Sequence, residues 1–352
     1  MTIATGGGAA FECGDLRLVH LLPGVRTLNK ARAPALLYNS QQARPYPIVQ
    51  VDVTAPSPLP QTIRGIVRIG GVIRGQRDMP GSSWVAAGLV RRFGIAFPLD
   101  TVTGLYDYQL ELQRVDGGSP VTFQMLNGQL PIVNRKASAF GPGWSLAGWE
   151  RLVFTGLPAT PQVMWVGGDG SVRRYDRVGA VGVDTAYLAT PLDRPDTLLH
   201  KSNGEWVRLE RGGLKVTFNS SGVHRFTTTR VGQVTEFVDS SGVLKQILLP
   251  PSAAGLTYTF AYSGSPLRLQ SVTVPDSAVG ANRVTLLEWV TDTLRITDPG
   301  TPAWVLRYET GGTNRIVYAR NPRSAVTLFD YDEGSRLAKT RLGVPFADSI
   351  KH

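Results

Sequence analysis

Residues 215–248 read KVTFNSSGVHRFTTTRVGQVTEFVDSSGVLKQIL and contain the same short pattern twice. In each copy an aromatic residue, Phe218 or Phe237, precedes a turn that is rich in Asn, Asp and Ser and ends in glycine. Gly222 and Gly242 suit such turns because glycine adopts positive φ at little cost. Apolar and polar residues alternate around each turn, as in strands with one buried face. The stretch therefore predicts successive β-hairpins, roughly 20 residues apart.

Further copies of the pattern follow along the chain. Phe260 is followed by Gly264, and Tyr331 is followed by Gly334. A single hairpin is marginally stable, whereas hairpins placed side by side bury a continuous face and depend mainly on their neighbours. We therefore expect residues 135–352 to form a sheet of β-hairpin repeats, with these aromatic residues and glycines holding the hairpins in register.

The rest of the chain also has strand character. No window of a dozen residues has helical apolar spacing without an interrupting Gly or Pro, and short alternating runs occur throughout. These runs include Ile63–Ile69, Tyr106–Leu112, Val216–Phe218, Val234–Val238 and Tyr258–Tyr262. The predicted fold class is all-β. Residues 1–44 are expected to form a lead-in segment, and residues 45–134 an immunoglobulin- or fibronectin-like β-sandwich of five to seven strands.

Within the predicted sandwich, residues 100–108 read DTVTGLYDY, which is typical of a tyrosine corner. In such a corner the tyrosine hydroxyl bonds to the backbone just upstream, and Tyr106 is the candidate. The alternative is an ordinary strand tyrosine. After the following strand, Asp116-Gly117-Gly118 predicts a hairpin turn.

Two phrases open the repeat region. Residues 140–152 read FGPGWSLAGWERL, with Gly143, Trp144 and Trp149, and residues 169–175 read DGSVRRY, with Asp169, Gly170 and Tyr175. Together with the YDEGSRL phrase that contains Tyr331, they resemble the Rhs family and its tyrosine–aspartate (YD) repeat. The resemblance covers about 210 residues; one departure is Ser335, which separates Gly334 from Arg336.

The resemblance implies a β-sheet that spirals into a hollow shell around a toxic or polymorphic domain. It implies a non-enzymatic scaffold in bacterial competition, secreted or at the cell surface in the full-length context. The implied partner is the remainder of a longer Rhs chain or an adjacent polypeptide, such as a toxin with its immunity protein.

The sequence departs from a complete Rhs shell in two respects. It has fewer repeats than a shell needs, and Asp298-Pro299-Gly300 matches only part of the motif that precedes the variable domain of the family. We interpret that tripeptide as a turn. Because the sequence ends at His352 without room for a toxin, a truncated or split copy with an incomplete shell is expected.

Composition and charge narrow the function classes. Hydrophobic residues make up 42% of the 352 residues, which argues for a buried core and against disorder. The net charge is +10, but the basic residues are scattered, with Arg91-Arg92 and Arg173-Arg174 as the densest pairs, so no nucleic-acid partner is expected. Residues 1–10 do not resemble a signal peptide, and no apolar stretch is long enough for a transmembrane segment.

Catalytic patterns are weak. Residues 143–147, GWSLA, differ at one position from the nucleophile motif G-x-S-x-G, with Ser145 as the serine. Cys13 lies seven residues before His20. Neither Ser145 nor Cys13 has the sequence context that a catalytic nucleophile needs. Asp169-Gly170 lacks the alternating acidic ligands of a calcium loop. The four histidines are widely spaced, and the single cysteine excludes an intramolecular disulfide, so no metal or cofactor is predicted.

Two alternative functions remain. One is a hydrolase, which would need two convergent carboxylates in a deep pocket. The other is surface adhesion or carbohydrate binding. Six tryptophans fall in or beside predicted strands, where they either fill the inner face of the sheet or form a platform for a surface glycan. They are Trp144, Trp149, Trp165, Trp206, Trp289 and Trp304.

Overall fold

The computed structural model describes residues 2–3, 7–10, 14–27, 30–157, 160–190, 196–250, 256–275, 282–332 and 334–343. These residues are almost entirely strand and turn, which confirms the all-β fold class. Two compact units divide the chain. The large unit comprises residues 1–43, 135–332 and 336–352, and the small unit comprises residues 44–134 and 333–335.

The described strands fall into three groups along the chain. Before residue 44 these are β1 (Thr2–Ile3), β2 (Gly7–Ala10), β3 (Asp15–Leu21), β4 (Val25–Thr27), β5 (Lys30–Arg32) and β6 (Ala35–Asn39), followed by helix α1 (Ser40–Ala43). The small unit contains β7 (Ile48–Thr54), β8 (Thr62–Ile69), β9 (Val72–Pro80), a 3-10 helix (Gly81–Trp84), β10 (Val90–Ala96), β11 (Gly104–Val115) and β12 (Val121–Ile132).

The third group belongs to the large unit. Its strands are β13 (Trp144–Leu146), β14 (Arg151–Leu157), β15 (Thr160–Val166), β16 (Val172–Val181), β17 (Asp184–Thr190), β18 (Thr197–His200), β19 (Trp206–Leu209), β20 (Lys215–Phe218), β21 (His224–Thr228), β22 (Val234–Ser240), β23 (Val243–Leu248), β24 (Thr257–Ser263), β25 (Arg268–Pro275), β26 (Asn282–Val290), β27 (Thr293–Thr297), β28 (Trp304–Tyr308), β29 (Ile316–Arg320), β30 (Val326–Tyr331) and β31 (Leu337–Gly343).

The small unit has the layered arrangement of a β-sandwich. One sheet has the order β12-β11-β8-β9, and the other pairs β10 with β7. Side chains from both sheets, including Val53, Ile63, Phe93 and Leu110, form one buried core. The indole Nε1 of Trp84 donates a 3.0 Å hydrogen bond to the Val53 carbonyl, so this buried polar group is satisfied.

Tyr106 makes the bond that a tyrosine corner requires. Its hydroxyl donates to the Val102 carbonyl at 2.8 Å and accepts a hydrogen bond from the Thr101 hydroxyl at 2.7 Å. The chain enters β11 immediately before Tyr106, so these two bonds fix the backbone at the start of that strand.

The large unit is dominated by an antiparallel sheet of 18 described strands, β14 to β31 in chain order. Each interior strand pairs with the strand before it and the strand after it, as successive hairpins do. Among the described strands, five hairpins from β20 onward shift register near the turn, with the extra residue on the returning strand. The shift falls on an equivalent position of each incoming strand: Phe218, Asp239, Tyr262, Tyr308 and Tyr331. The β16–β17 hairpin also shifts, but there the extra residue lies on the incoming strand.

This register corrects the sequence alignment of the repeats. Phe218 and Tyr331 occupy the shifted position, but Phe237 and Phe260 lie two residues before it. Tyr262 is therefore the structural counterpart of Tyr331. The sequence alignment missed this because residues two apart share one face of a strand, so either aromatic satisfies the pattern.

The 18-stranded sheet contributes to two separate cores. Strands β14 to β20 surround the first, which includes Leu152, Tyr175 and Phe218. The Leu152 amide donates to the Gly222 carbonyl at 2.8 Å, so β14 is bonded to the turn that follows β20. Strands β22 to β31 contribute to the second core, and its other side is formed by residues 16–25, 36–43 and 140–149.

Candidate functional site: the packed face of the repeat sheet

The face of β22 to β31 that lies in the second core, here called the packed face, is covered by the chain itself. Tyr38 from β6 and Trp144 from β13 lie side by side with ring centroids 5.6 Å apart. Trp144 donates its indole N–H to the Tyr308 hydroxyl on β28 at 2.7 Å. Burial raises the pKa of Tyr308 and of Tyr38 above the ordinary tyrosine value. These hydroxyls therefore stay protonated and serve as hydrogen-bonding groups.

Two tyrosines hold the start of β29. The Tyr38 hydroxyl donates to the Asn314 carbonyl at 3.1 Å and accepts from the Ile316 amide at 3.0 Å. The Tyr331 hydroxyl donates to the Ile316 carbonyl at 2.8 Å. The tyrosine of the YD-like phrase thus bonds to the preceding hairpin, while the lead-in segment bonds to the same residue from the other side.

The lead-in segment crosses several strands of the sheet. At one end the Leu337 amide on β31 donates to the Gly14 carbonyl at 2.6 Å. At the other end the Tyr258 hydroxyl on β24 donates to the Pro23 carbonyl at 2.7 Å. Between them His20 contacts Asp298, with 3.2 Å between its Nε2 and the carboxylate Oδ1. The segment that the sequence analysis treated as a separate lead-in therefore lies within the large unit and braces the packed face.

Two glycines of the opening phrases allow this close approach. Gly143 has φ +79°, and a Cβ there would lie 2.7 Å from both Ala43 and the Tyr38 ring. Gly170 has φ +83°, and a Cβ there would overlap the side-chain amide of Gln42. Each glycine is therefore required by backbone conformation and by contact with the lead-in segment.

A buried ionic network lies among β14 to β20. Arg208, with 4% of its side chain exposed, contacts Glu150 at 2.6 Å and Asp196 at 3.5 Å. Trp165 donates to Glu150 at 2.7 Å, and Tyr175 donates to Asp196 at 2.7 Å. Burial raises the pKa of Glu150, and the Arg208 charge opposes that rise. Glu210 also contacts Arg208, at 2.6 Å. Three carboxylates thus converge, and a hydrolase would require at least two, but all three are bound to a central arginine as in a structural ion network.

Sequence analysis missed Arg208 and Glu150. One signal was available: Arg208 lies two residues after Trp206 in β19, and residues two apart share one face of a strand. The sequence therefore places an arginine beside a buried tryptophan. Glu210 is two residues from Arg208, but Glu150 is 58 residues away, and its proximity cannot be inferred from local spacing.

The predicted repeat residues are divided between the two cores. Phe218 is buried in the first core, whereas Phe237 and Phe260 are buried in the second. Their turn glycines Gly222, Gly242 and Gly264 all have positive φ; in the fourth repeat the left-handed residue is Ser335 instead of Gly334. The sequence pattern thus placed the left-handed residue of that turn one position too early.

The opening-phrase residues serve turns and packing. Trp149 packs against the second core. Asp169 caps its turn, since its Oδ1 accepts hydrogen bonds from the Ser171 amide and hydroxyl at 2.9 and 2.6 Å. The Ser145 hydroxyl donates to the Gly168 carbonyl at 2.7 Å. Cys13 lies outside the described residues. Asp298 begins a turn in which the Thr301 amide donates to its carbonyl at 3.1 Å, which agrees with the turn interpretation.

The six tryptophans do not form an exposed platform. Two are buried and four are partly buried, and all six fall among the strands or segments of the two cores. The tryptophan-platform hypothesis for glycan binding therefore has no exposed platform to support it and stays a prediction. In the described part of the chain, no helix has the length and apolar character needed to cross a membrane.

Comparison with known proteins gives distant structural likeness. The sequence matches no protein-family profile and no curated protein. Among solved structures, TcdB2-TccC3 without its hypervariable C-terminal region is similar at 12% identity with a TM-score of 0.28. TcdB2-TccC3-TEV is similar at 11% identity with a TM-score of 0.26. Each likeness covers 94% of this chain but 19% of the other, so the chain spans about a fifth of their length.

Proposed function

We propose that the chain is a non-enzymatic structural segment of an Rhs-type shell that encloses or presents another polypeptide. The main supporting observation is the 18-stranded sheet in which each strand pairs with its chain neighbours. Such a sheet grows by adding hairpins at its edge. Among the described residues β31 pairs only with β30, so its other edge can accept a further strand.

The covered face refines this role. Because residues 16–25, 36–43 and 140–149 pack against β22 to β31, the chain itself covers the packed face. We infer that this segment closes one end of a shell and that the enclosed polypeptide does not lie against the packed face. The convergent carboxylates Glu150 and Asp196 support a structural role, since Arg208 binds both.

The resemblance of the opening and YD-like phrases supports the finer proposal. The partner would be the remainder of a longer Rhs chain or a separately encoded polypeptide, such as a toxin with its immunity protein. The setting would be competition between bacteria, with the full-length assembly secreted or at the cell surface.

Co-expression tests the proposal. The chain is produced together with the polypeptide encoded immediately downstream, and the pair is purified through a tag on this chain and treated with protease. We expect co-purification and protection of the partner, because a shell excludes protease from its contents. The same partner produced with an unrelated protein serves as the control. A partner that does not co-purify, or is digested equally fast in both samples, contradicts the shell role.

A further inference from the structure

A groove on the small unit arises where two hairpins of different length lie side by side. The pairing of β8 with β11 ends at Ile69 and Tyr108, where β8 turns through Gly70 and Gly71. The pairing of β11 with β12 continues to Gly104. The shorter hairpin therefore leaves a step beside the longer one, and the groove at this step has a volume of about 490 Å³.

The floor of the groove is a grid of polar side chains. Arg68, Gln109 and Asn127 are cross-strand neighbours on β8, β11 and β12. Asp107 on β11 and Gln129 on β12 form the next cross-strand pair on the same face. Neighbouring strands lie about 5 Å apart and same-face residues about 7 Å apart, so these planar groups cover a compact area. A Cβ on Gly70 or Gly71 would meet nothing within 4 Å, so the end of the groove at the step is open.

Some of these side chains are held in place before any ligand binds. Gln129 donates to the Asp107 carboxylate at 2.9 Å. Arg68 donates to Glu111 at 3.4 Å, and Glu111 in turn accepts from the Thr122 hydroxyl at 2.5 Å. These contacts lower the pKa of Glu111, with the Thr122 bond as the largest cause. A ligand would therefore meet ordered polar groups, which reduces the entropic cost of binding.

The chemistry of the groove favours a neutral polyhydroxyl ligand. Its charged lining residues are Arg68 and Asp107, one of each sign, whereas a nucleic-acid site needs several cations. Amide groups such as Gln109 and Asn127 both donate and accept hydrogen bonds, as adjacent sugar hydroxyls require. Ile73, opposite Arg68, and Met125 on β12 are about half exposed, at 48% and 53%. Neither residue lines the groove itself, but both lie next to its lining residues, Ile73 on β9 and Met125 on β12, and would offer apolar contact to a ligand that extends beyond it.

We propose that this groove binds a neutral oligosaccharide. The site is separate from the tryptophans considered from sequence and independent of the shell role, so either proposal can fail alone. A peptide would pair through backbone groups, whereas most residues that line the groove present polar side chains, which suits a sugar better.

The test uses the full chain on an array of immobilised neutral oligosaccharides, followed by calorimetric titration with the glycan that binds best. The Gln109→Ala/Asn127→Ala double variant should bind that glycan about tenfold more weakly or worse. Gln76→Ala, an exposed glutamine on β9 outside the groove, should bind as the unmodified chain does. Thermal unfolding should be similar for all three proteins, because the substituted side chains are not part of the buried core.

Three results would overturn the proposal. One is no array binding above background, and another is equal glycan affinity for the double variant and the unmodified chain. The third is tighter binding to a short single-stranded DNA than to any glycan, with the double variant unaffected. If the double variant unfolds, Gln109→Glu is titrated in its place, and unchanged glycan affinity in that folded variant also counts against the site.

Discussion

Two features require glycine at position 222: its backbone conformation and the lack of space for a side chain. At Gly242 only the backbone conformation does so. Gly222 has φ +77°, and a Cβ there would lie 2.5 Å from the Leu152 carbonyl oxygen. Gly242 has nearly the same φ, +75°, but a Cβ there would meet nothing within 4 Å. A substitution at Gly242 therefore introduces backbone strain alone, whereas the same substitution at Gly222 adds a steric clash.

We predict that Gly222→Val destabilises the protein more than Gly242→Val. The left-handed conformation alone costs a non-glycine residue about 1–2 kcal/mol, and Gly222→Val also displaces β14 from the turn after β20. Chemical denaturation and limited proteolysis measure the difference, with cleavage expected near residues 215–228 only in the first variant. Circular dichroism and protease resistance equal to the unmodified chain would contradict the hairpin role of Gly222.

His224 is a buried neutral imidazole. Its ring lies 4.2 Å from the Phe237 ring and 5.6 Å from the Phe218 ring, and its Nδ1 accepts from the Glu150 amide at 3.2 Å. Burial lowers its pKa from 6.5 to about 3. The unfolded chain therefore binds a proton at this residue before the folded chain does, and stability falls as pH drops from about 6.5 towards 3.

We predict that His224→Phe removes part of this pH dependence. A single such histidine contributes about 1.4 kcal/mol per pH unit, so near pH 5 the unmodified chain should have lost about 2 kcal/mol through His224. Denaturation of both proteins near neutral pH and near pH 5 measures this. Identical losses on acidification would show that His224 is not responsible.

At the scale of elements, the Arg208 network joins β15, β16 and β19 to the residues just before β14 and β18, Glu150 and Asp196. Removing one member of a buried ion pair leaves an uncompensated charge. We predict that Arg208→Met destabilises the protein by about 3–5 kcal/mol and that a further Glu150→Gln substitution recovers part of the loss. Denaturation measures both.

The matched control is Arg341→Met. Arg341 pairs with Asp330 at 2.8 Å, but both side chains are largely exposed, so this variant should lose less than about 1 kcal/mol. Similar losses for Arg208→Met and Arg341→Met would contradict the structural role of the buried network.

At the scale of the whole molecule, the edge of β31 that pairs with no other described strand is the feature with consequences for assembly. An unpaired strand edge is a template for another chain. We predict that the isolated chain self-associates as its concentration rises and that Leu342→Lys reduces this, because charge on an edge strand disfavours pairing. Leu342 is 81% exposed, so the substitution should not disturb a core. Light scattering behind size-exclusion chromatography checks this, and a monomer at every concentration would contradict it.

Local sequence determined the hairpins. Residues such as Phe218, Gly222 and Gly242 sit within a few positions of the residues they pair with, so turn chemistry and alternation suffice to predict these strands. Register was less predictable, since Tyr262 and Phe260 share a face and either fits the pattern. The bond of Tyr106 is also local, because its partner, the Val102 carbonyl, is only four residues earlier, and the structure has the expected bond.

Only the tertiary structure decided what covers the sheet and where its buried charges meet. Tyr38 bonds to Ile316, and Arg208 to Glu150, across long stretches of sequence. No periodicity encodes such pairs, because they depend on how the lead-in and opening segments pack against a completed sheet. The polar groove likewise depends on hairpin lengths in space. The sequence by itself therefore determined that this protein is built of hairpins, whereas the fold decided which of their faces are filled and which remain open.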